Sequence, residues 1–228
     1  MSRTVVSVII PVYNGERYLD AALKSVLDQD YSPTDVIIID DGSTDKSAEV
    51  AKAYQDFRYI PQLNRGVATA RNEGIRVARG EFIAFLDQDD VWTTNKLSLQ
   101  VSYLLDHPEV GYAICNEKLF LESGTQLPSW LKEELLSKDH PGYVPSALIV
   151  RKSIFDRVGL FDPSYVMGSD SDWFARAKDQ EIQMAVLPET LLQRRIHNSN
   201  CSSQTKLAMQ ELRRVVKASI DRQRQQKL

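Results

Sequence analysis

Val36-Ile37-Ile38-Ile39-Asp40-Asp41-Gly42-Ser43-Thr44-Asp45 and Phe82-Ile83-Ala84-Phe85-Leu86-Asp87-Gln88-Asp89-Asp90 share one pattern: an apolar run that breaks off into carboxylates. A run of Val, Ile, Phe and Leu without polar alternation is what a strand shows when both faces of a parallel sheet are covered. Val5–Ile10 repeats the run, and Arg58–Gln62 gives a weaker fourth strand. Between them lie amphipathic helical patterns at about 16–28, 45–55 and 67–79, followed by one at 94–106. Strand alternating with helix predicts an α/β fold with a mostly parallel sheet flanked by helices. Asn14, Thr44 or Asp45, and Thr93 or Thr94 are the expected helix caps.

After Pro108 the pattern loosens. Val110–Leu121 reads as one long or two short strands, Glu122-Ser123-Gly124 as a turn, and Ser129–Ser137 as a short helix or loop. Tyr143–Val150 is a strand or a buried helix, and Ser153–Val158 a helix stopped by Gly159. Ser171–Asp179 is expected to be helical, and Met184–Leu187 and Leu191–Ile196 to be two further strands. No internal repeat, low-complexity segment or Gly/Pro-rich linker divides the chain.

The 228 residues, 43% hydrophobic and 26% charged, are long enough to bury a core and have the balance of an ordinary globular protein. Two cysteines, Cys115 and Cys201, build neither a disulfide framework nor a four-cysteine zinc site, so a reducing compartment is expected. The apolar run at Val5–Ile10 is not followed by a small-residue cleavage site, and no stretch approaches the roughly 18 apolar residues of a spanning helix. The net charge of −3 is uneven. Residues 206–228 hold seven Lys and Arg against Glu211 and Asp221, a surplus of +5 that leaves −8 on the rest. A body that acidic does not suit a nucleic-acid phosphate track.

Both carboxylate clusters fall at carboxyl ends of strands, where open parallel sheets bind their ligands. Carboxylates packed together repel unless cations or ligand donors neutralise them. A hard divalent ion does so, taking one or two carboxylates plus phosphate oxygens and water, which Asp-x-Asp spacing can supply. The bland readings stand beside this: Asp40-Asp41-Gly42-Ser43 alone is turn and cap chemistry, and Asp87–Asp90 a solvated loop. No Gly-x-Gly-x-x-Gly follows the first strand and no phosphate-binding P-loop is present, so neither a dehydrogenase nor a P-loop ATPase is expected.

Val8-Ile9-Ile10-Pro11-Val12-Tyr13-Asn14, Ile37–Asp45, Asn64-Arg65-Gly66 with Ala70-Arg71-Asn72-Glu73-Gly74, and Phe85–Asp90 with Trp92 resemble, in order and spacing, the family 2 glycosyltransferases of GT-A fold. The resemblance covers about residues 4–198, strongly to 92. It implies a Rossmann-like mixed sheet in one domain, 1–205, with a nucleotide-binding half at 1–107 and an acceptor and catalytic half at 108–205, followed by a basic amphipathic helix at 206–228. It also implies inverting, metal-dependent transfer of a sugar from a nucleoside-diphosphate donor, a UDP-sugar, to an acceptor hydroxyl in polysaccharide, lipopolysaccharide or other glycan synthesis in the cytoplasm.

Carried over by position, Pro11 and Tyr13 line the base, Asp41 accepts from the uracil ring nitrogen, Arg71 holds the nucleotide and Asp87 meets the ribose. Asp89 ligates Mn²⁺ or Mg²⁺ on the diphosphate, and Asp90 assists. Within Gly168-Ser169-Asp170-Ser171-Asp172-Trp173, Asp170 matches the general base and Asp172 is its neighbour. Ser169 stands where the family usually has Glu, which keeps a nucleotide-sugar-binding protein without catalysis as the alternative. In Gln193-Arg194-Arg195-Ile196-His197-Asn198-Ser199, His197 would reach the metal and Arg195 the phosphates.

Structural readings of these residues also stand: Tyr13 as a strand-end aromatic, Arg71 as a surface arginine, Asp170 as a helix cap and His197 as an exposed loop residue. Leu207, Leu212, Val215, Val216 and Ile220 fall at helical spacing among the basic residues. That helix either docks its stripe on the domain or on a second subunit, or adsorbs to an anionic leaflet carrying a lipid-linked acceptor. Trp130 and Tyr143 are either acceptor platforms or packing anchors.

Overall fold

The structure is a computed structural model, and it describes residues 4–198, 200 and 204–225; Ser199, Cys201 and Lys227 of the reading above lie outside that set. The chain runs β1 (Val6–Val12), α1 (Leu19–Leu27), β2 (Thr34–Asp40), α2 (Ser47–Lys52), β3 (Arg58–Pro61), α3 (Val67–Val77), β4 (Phe82–Phe85), β5 (Val91–Trp92) and α4 (Lys96–Asp106). It continues through β6 (Tyr112–Leu121), α5 (Glu134–Ser137), β7 (His140–Pro141), a 3-10 turn at Pro145–Ala147, β8 (Ile149–Arg151), α6 (Ile154–Val158), α7 (Ser169–Asp179), β9 (Met184–Ile196) and α8 (Thr205–Gln225).

Across one sheet the order is β3-β2-β1-β4-β8-β6-β9-β5, with β7 on β6 outside that path. The long pairings are parallel: β1 with β2 over seven residues and β6 with β9 over ten. The antiparallel contacts of β8, β5 and β7 are short. All seven residues of β1 and the last five of β2 are buried, as the unbroken apolar runs predict. Against this sheet α1 lays Leu19, Ala22, Leu23 and Val26, the i, i+3, i+4, i+7 stripe of an amphipathic helix. Burial of each large side chain of this kind is worth about 1.5–3 kcal/mol.

Register brings the acidic ends to one edge. Val12 lies opposite Asp40, and β4 accompanies β1 only as far as Ile9, opposite Phe85. The backbone at Pro11 therefore faces a place where β4 has already ended, so the missing proline N–H leaves no ladder bond unmade. Asp40, Asp41 and Asp87–Asp90 all emerge at that edge.

The second half differs from its reading in identifiable ways. Met184–Leu187 and Leu191–Ile196 are one strand, β9, whose irregularity is absorbed by register shifts at Asn116. Tyr143–Val150 resolves into a 3-10 turn and the start of β8, and the helix within Ser129–Ser137 is a single turn. Of the expected cap residues, Asp45 does bond the start of its helix: its Oδ1 accepts from the N–H of Ser47, the first residue of α2, while its Oδ2 accepts from Glu16 N on the neighbouring loop. Asn14 bonds no helix end and instead accepts from the Thr44 N–H of that loop. Cys115 is fully buried.

Candidate active site

At the edge where β1 ends, Tyr13 is half exposed at 47%. Its backbone is held from both sides by Gln88, whose Oε1 accepts from Tyr13 N at 2.8 Å and whose Nε2 donates to Tyr13 O at 3.1 Å. A Cβ at Gly15 would stand 2.3 Å from Gln88 Oε1, so glycine is what lets the two loops meet. Pro11, two residues before it on β1, is buried.

Asp41, 3% exposed, holds the loop before α3. Its Oδ1 accepts from Gln62 Nε2 at 2.6 Å and Arg65 N at 2.9 Å, and its Oδ2 accepts from Gly66 N at 2.8 Å. Oδ2 keeps a second acceptor position. Gly66, at φ +88°, then opens α3. From that helix Arg71, 5% exposed, donates through Nη2 to Asp87 Oδ1 at 2.6 Å, while its buried Nε has no partner. Arg71 is thus not the solvent-facing helix residue that its pattern allowed. It is a buried cation at the site.

Beyond Asp87, Asp89 Oδ2 lies 2.9 Å from His197 Nε2 and accepts from Asn200 Nδ2 at 3.2 Å. His197 is buried and packs its ring 4.5 Å from that of Tyr18. It is not an exposed loop histidine. Arg195 is braced: its guanidinium sits 4.7 Å over the Phe120 ring and 5.2 Å over that of Tyr18, and its Nε donates to Asp89 O at 3.2 Å. Asp90 accepts from Arg195 N at 3.2 Å. Burial, and then the charge of Asp89, raise the Asp90 carboxyl well above its ordinary range.

Asp170 lies in the first turn of α7, its Oδ1 accepting from Ser171 N at 2.7 Å. Desolvation by the surrounding protein raises its pKa, with Arg71 acting in the opposite sense and Asp87 adding to the rise. Asp170 thus feels the charges of Arg71 and Asp87, which are themselves paired. The structure does not bring Asp172 to them. Two residues further on, it projects about 200° round the helix. There its Oδ2 accepts from Arg176 Nε at 2.8 Å, and Arg176 also donates to the carbonyls of Val158 and Leu160.

Arg194 is the residue that the sequence reading passed over. Burial opposes its charge, but Glu117, Asp90, Asp87 and Asp170 outweigh that and raise its pKa. Its Nη1 is 3.6 Å from Glu117 Oε1. In the parallel register Arg194 lies beside Leu119 and Arg195 beside Phe120, so alternation sends the two arginines to opposite faces of β9. Knowing that β9 is one strand in that register would have identified the arginine facing the carboxylates. Ser146, 0% exposed, was also missed: its hydroxyl accepts from Asp87 N at 3.0 Å and bonds Asp90.

Among the described residues no group of three or more His, Cys, Asp or Glu forms a metal cage. Asp89 and His197 do offer a carboxylate oxygen and an imidazole nitrogen side by side, with the Asp89 side chain 21% exposed. Such a pair fits a hard divalent ion that takes its remaining ligands from phosphate and water.

A sequence model described as glycosyl transferase family 2 matches residues 7–159. The chain is 32% identical over 212 residues to an uncharacterized glycosyltransferase of Rickettsia typhi, covering 87% of this chain and 66% of that protein. It is 40% identical over 108 residues to the Escherichia coli UDP-Glc:alpha-D-GlcNAc-diphosphoundecaprenol beta-1,3-glucosyltransferase WfgD, covering 46% of this chain and 43% of that protein. The chain spans from 66% down to 50% of the length of the first three curated relatives it matches. Among solved structures, S. aureus TarS 1-349 in complex with UDP-GlcNAc superposes with TM-score 0.76 at 20% identity, over 95% of this chain and 66% of that one. The mannosyltransferase PcManGT from Pyrobaculum calidifontis, in complex with GDP-Man and Mn2+, superposes with TM-score 0.74 at 21% identity, over 96% of this chain and 65% of that one. These structural likenesses establish a GT-A-type fold.

Proposed function

The chain belongs to glycosyl transferase family 2, and from that premise we propose that it transfers a sugar from a nucleoside diphosphate, a UDP-sugar, to an acceptor hydroxyl with inversion. The observation that carries the reading is the convergence of Asp87, Asp170, Arg71 and Arg194 at the carboxyl edge of the parallel strands, with Asp89 and His197 beside them. Solved relatives of the same fold hold UDP-GlcNAc in one case and GDP-Man with Mn2+ in another.

In this reading Pro11 and Tyr13 flank the base, Asp41 offers its remaining Oδ2 position to the ring N–H, and Asp87 meets the ribose. Arg71 and Arg194 neutralise the carboxylates and compensate charge on the diphosphate, the role that the resemblance gives Arg195; Arg195 is held over Phe120 and Tyr18 and bonds the Asp89 carbonyl, so in this reading it braces the Asp89 loop. Asp170 takes the proton of the acceptor hydroxyl as its oxygen attacks the anomeric carbon opposite the departing nucleoside diphosphate. Asp172 is a positioning residue that ties α7 to the carbonyls behind it through Arg176. Asp89 and His197 would hold Mn²⁺ or Mg²⁺, which when bound offsets charge on the leaving diphosphate.

The second reading, a nucleotide-sugar binder without catalysis, rests on Ser169, whose buried Oγ has no partner where the family usually places Glu. Calorimetric titration of UDP, GDP and TDP, with Mn²⁺ and after chelation, tests the donor site. Metal-linked binding of UDP in preference to the others is expected. No metal-linked binding of any of the three would sink it.

No described helix is long and apolar enough to cross a membrane. Docking of the α8 stripe on the domain itself accounts for Val215, which is buried, and leaves Met209, Leu212, Val216 and Ile220 54%, 46%, 50% and 45% exposed. Arg213, Lys217 and Arg224 line the same face against one carboxylate, Asp221, so it carries a net positive charge. A second copy laid there would set one net positive face against another, whereas an anionic lipid surface complements it. We therefore assign the face to the inner leaflet, where a lipid-linked acceptor, such as the one in the name of WfgD, would be presented. Cosedimentation with vesicles rich in phosphatidylglycerol but not with phosphatidylcholine vesicles is expected, and salt should weaken it. Equal binding to both, or a stable dimer that binds neither, would refute the assignment.

A further inference from the structure

Helix α7 begins without a side-chain cap of its own: its first residue follows Gly168, which carries none. The backbone N–H groups leading into a helix need acceptors, and an anion placed there is favoured by their convergence and by the helix dipole. The acceptor comes from α8. Glu211 Oε1 accepts from Val166 N at 2.8 Å, and Oε2 accepts from Met167 N and Gly168 N, each at 2.8 Å. Glu211 is 2% exposed, and a Cβ added at Gly168 would stand 3.2 Å from Glu211 Cβ, so the carboxylate and the bend are closely fitted.

Glu211 and Val215 are the buried residues of this 21-residue helix. Its other attachment is polar and lies at the far end of α7, where Asp179 accepts from Ser219 Oγ, Arg222 Nε and Gln223 Nε2. So α8 runs alongside α7 and grips it at both ends. The carboxylate grip falls two residues before Asp170.

We propose that Glu211 is a positioning residue for the transfer step: by fixing Val166–Gly168 it sets where the first turn of α7 presents the Asp170 carboxylate. The inference rests on Asp170 acting as the base. Glu211 bonds Val166, Met167 and Gly168 and none of Asp41, Arg71, Asp87, Asp89 or His197, so its loss should act on turnover and not on nucleotide affinity. The three N–H donors also hold the Glu211 carboxyl below its ordinary range, against the desolvation that raises it. It is therefore charged at neutral pH.

The test is steady-state transfer and donor calorimetry on Glu211→Gln and Glu211→Asp, with Asp179→Asn as a control that loosens α8 at its other end. Gln keeps the shape but turns an N–H₂ toward backbone donors; Asp keeps the charge but falls short by one methylene. Misplacement of a reacting group by about 1 Å can cost on the order of 100-fold. We expect kcat to fall about 10- to 100-fold in Glu211→Gln and by less in Glu211→Asp, with donor Kd within twofold of wild type and Asp179→Asn near wild type in both.

A Glu211→Gln protein with kcat within twofold of wild type overturns the proposal. So does an equal loss of kcat in Asp179→Asn, which would make the effect one of general α8 docking. Should Glu211→Gln not fold, Glu211→Asp decides by the same criterion. Asp170→Asn, measured in parallel, separates the two failures. If Asp170→Asn retains full transfer, the base reading is wrong. If it is inactive while Glu211→Gln is unimpaired, only the positioning role falls.

Discussion

Asp170→Asn is expected to lower transfer by about 10²- to 10⁴-fold, the usual cost of losing a general base, while UDP binds as before. The substitution keeps the side-chain shape and an oxygen for the Ser171 N–H, so the first turn of α7 is preserved. What it removes is the capacity to take a proton. Because desolvation holds the Asp170 pKa above its ordinary 3.8, the sign of the pH dependence follows. As pH falls through that raised value the base is protonated and kcat is lost, on an acid limb above the ordinary Asp range. A pH profile of kcat with saturating donor and acceptor reads both effects. An Asp170→Asn enzyme keeping more than half of wild-type transfer would refute the assignment; a profile flat down to pH 4 would refute the raised pKa.

The second large effect is expected at Asp89. Changing a residue that merely orients a metal ligand typically costs 10- to 100-fold in metal affinity, so loss of the ligand itself should cost more than about 100-fold. Asp89→Asn should abolish the metal-linked part of UDP binding and leave the metal-free affinity near wild type, since Asp41, Arg71 and Tyr13 are untouched. Calorimetry at fixed UDP over a Mn²⁺ series measures it. Unchanged metal linkage in Asp89→Asn would move the ion elsewhere, and His197→Ala, with the same expected outcome, checks the partner.

The nucleotide half was legible because its signals are local. An apolar run covered on both faces needs no knowledge of its neighbours to be read as a strand, and carboxylates following it must lie at that strand's carboxyl end. The second half was harder. β9 is paired through a bulge at Asn116, so a strand of 13 residues looks like two. β5 and β7 are two-residue pairings whose hydrogen bonds exist only because partners distant in sequence arrive beside them. Helix caps were only partly legible for a related reason. Asn14 and Asp45 have the chemistry of caps, but in the folded chain Asn14 finds its donor on the neighbouring loop, and Asp45 divides itself between that loop and the first N–H of its own helix.

What the sequence by itself determined was the α/β architecture, the edge at which the carboxylates gather, and the candidates Asp41, Arg71, Asp87, Asp89, Asp170 and His197. The architecture and the edge follow from period and spacing; the candidate residues follow from the family resemblance, since Arg71, Asp170 and His197 read by themselves as a surface arginine, a helix cap and a loop histidine. Tertiary structure alone decided which of two adjacent arginines faces the acids, since one step of strand register exchanges Arg194 for Arg195. It also decided that Asp172 points to Arg176 while Asp170 lies near Arg71, because two residues along a helix are opposite in direction though adjacent in a motif. Glu211 is the plainest case. Its three partners lie more than 40 residues away, and only the packing of α8 against α7 turns a glutamate on a basic helix into the acceptor for the backbone ahead of Asp170.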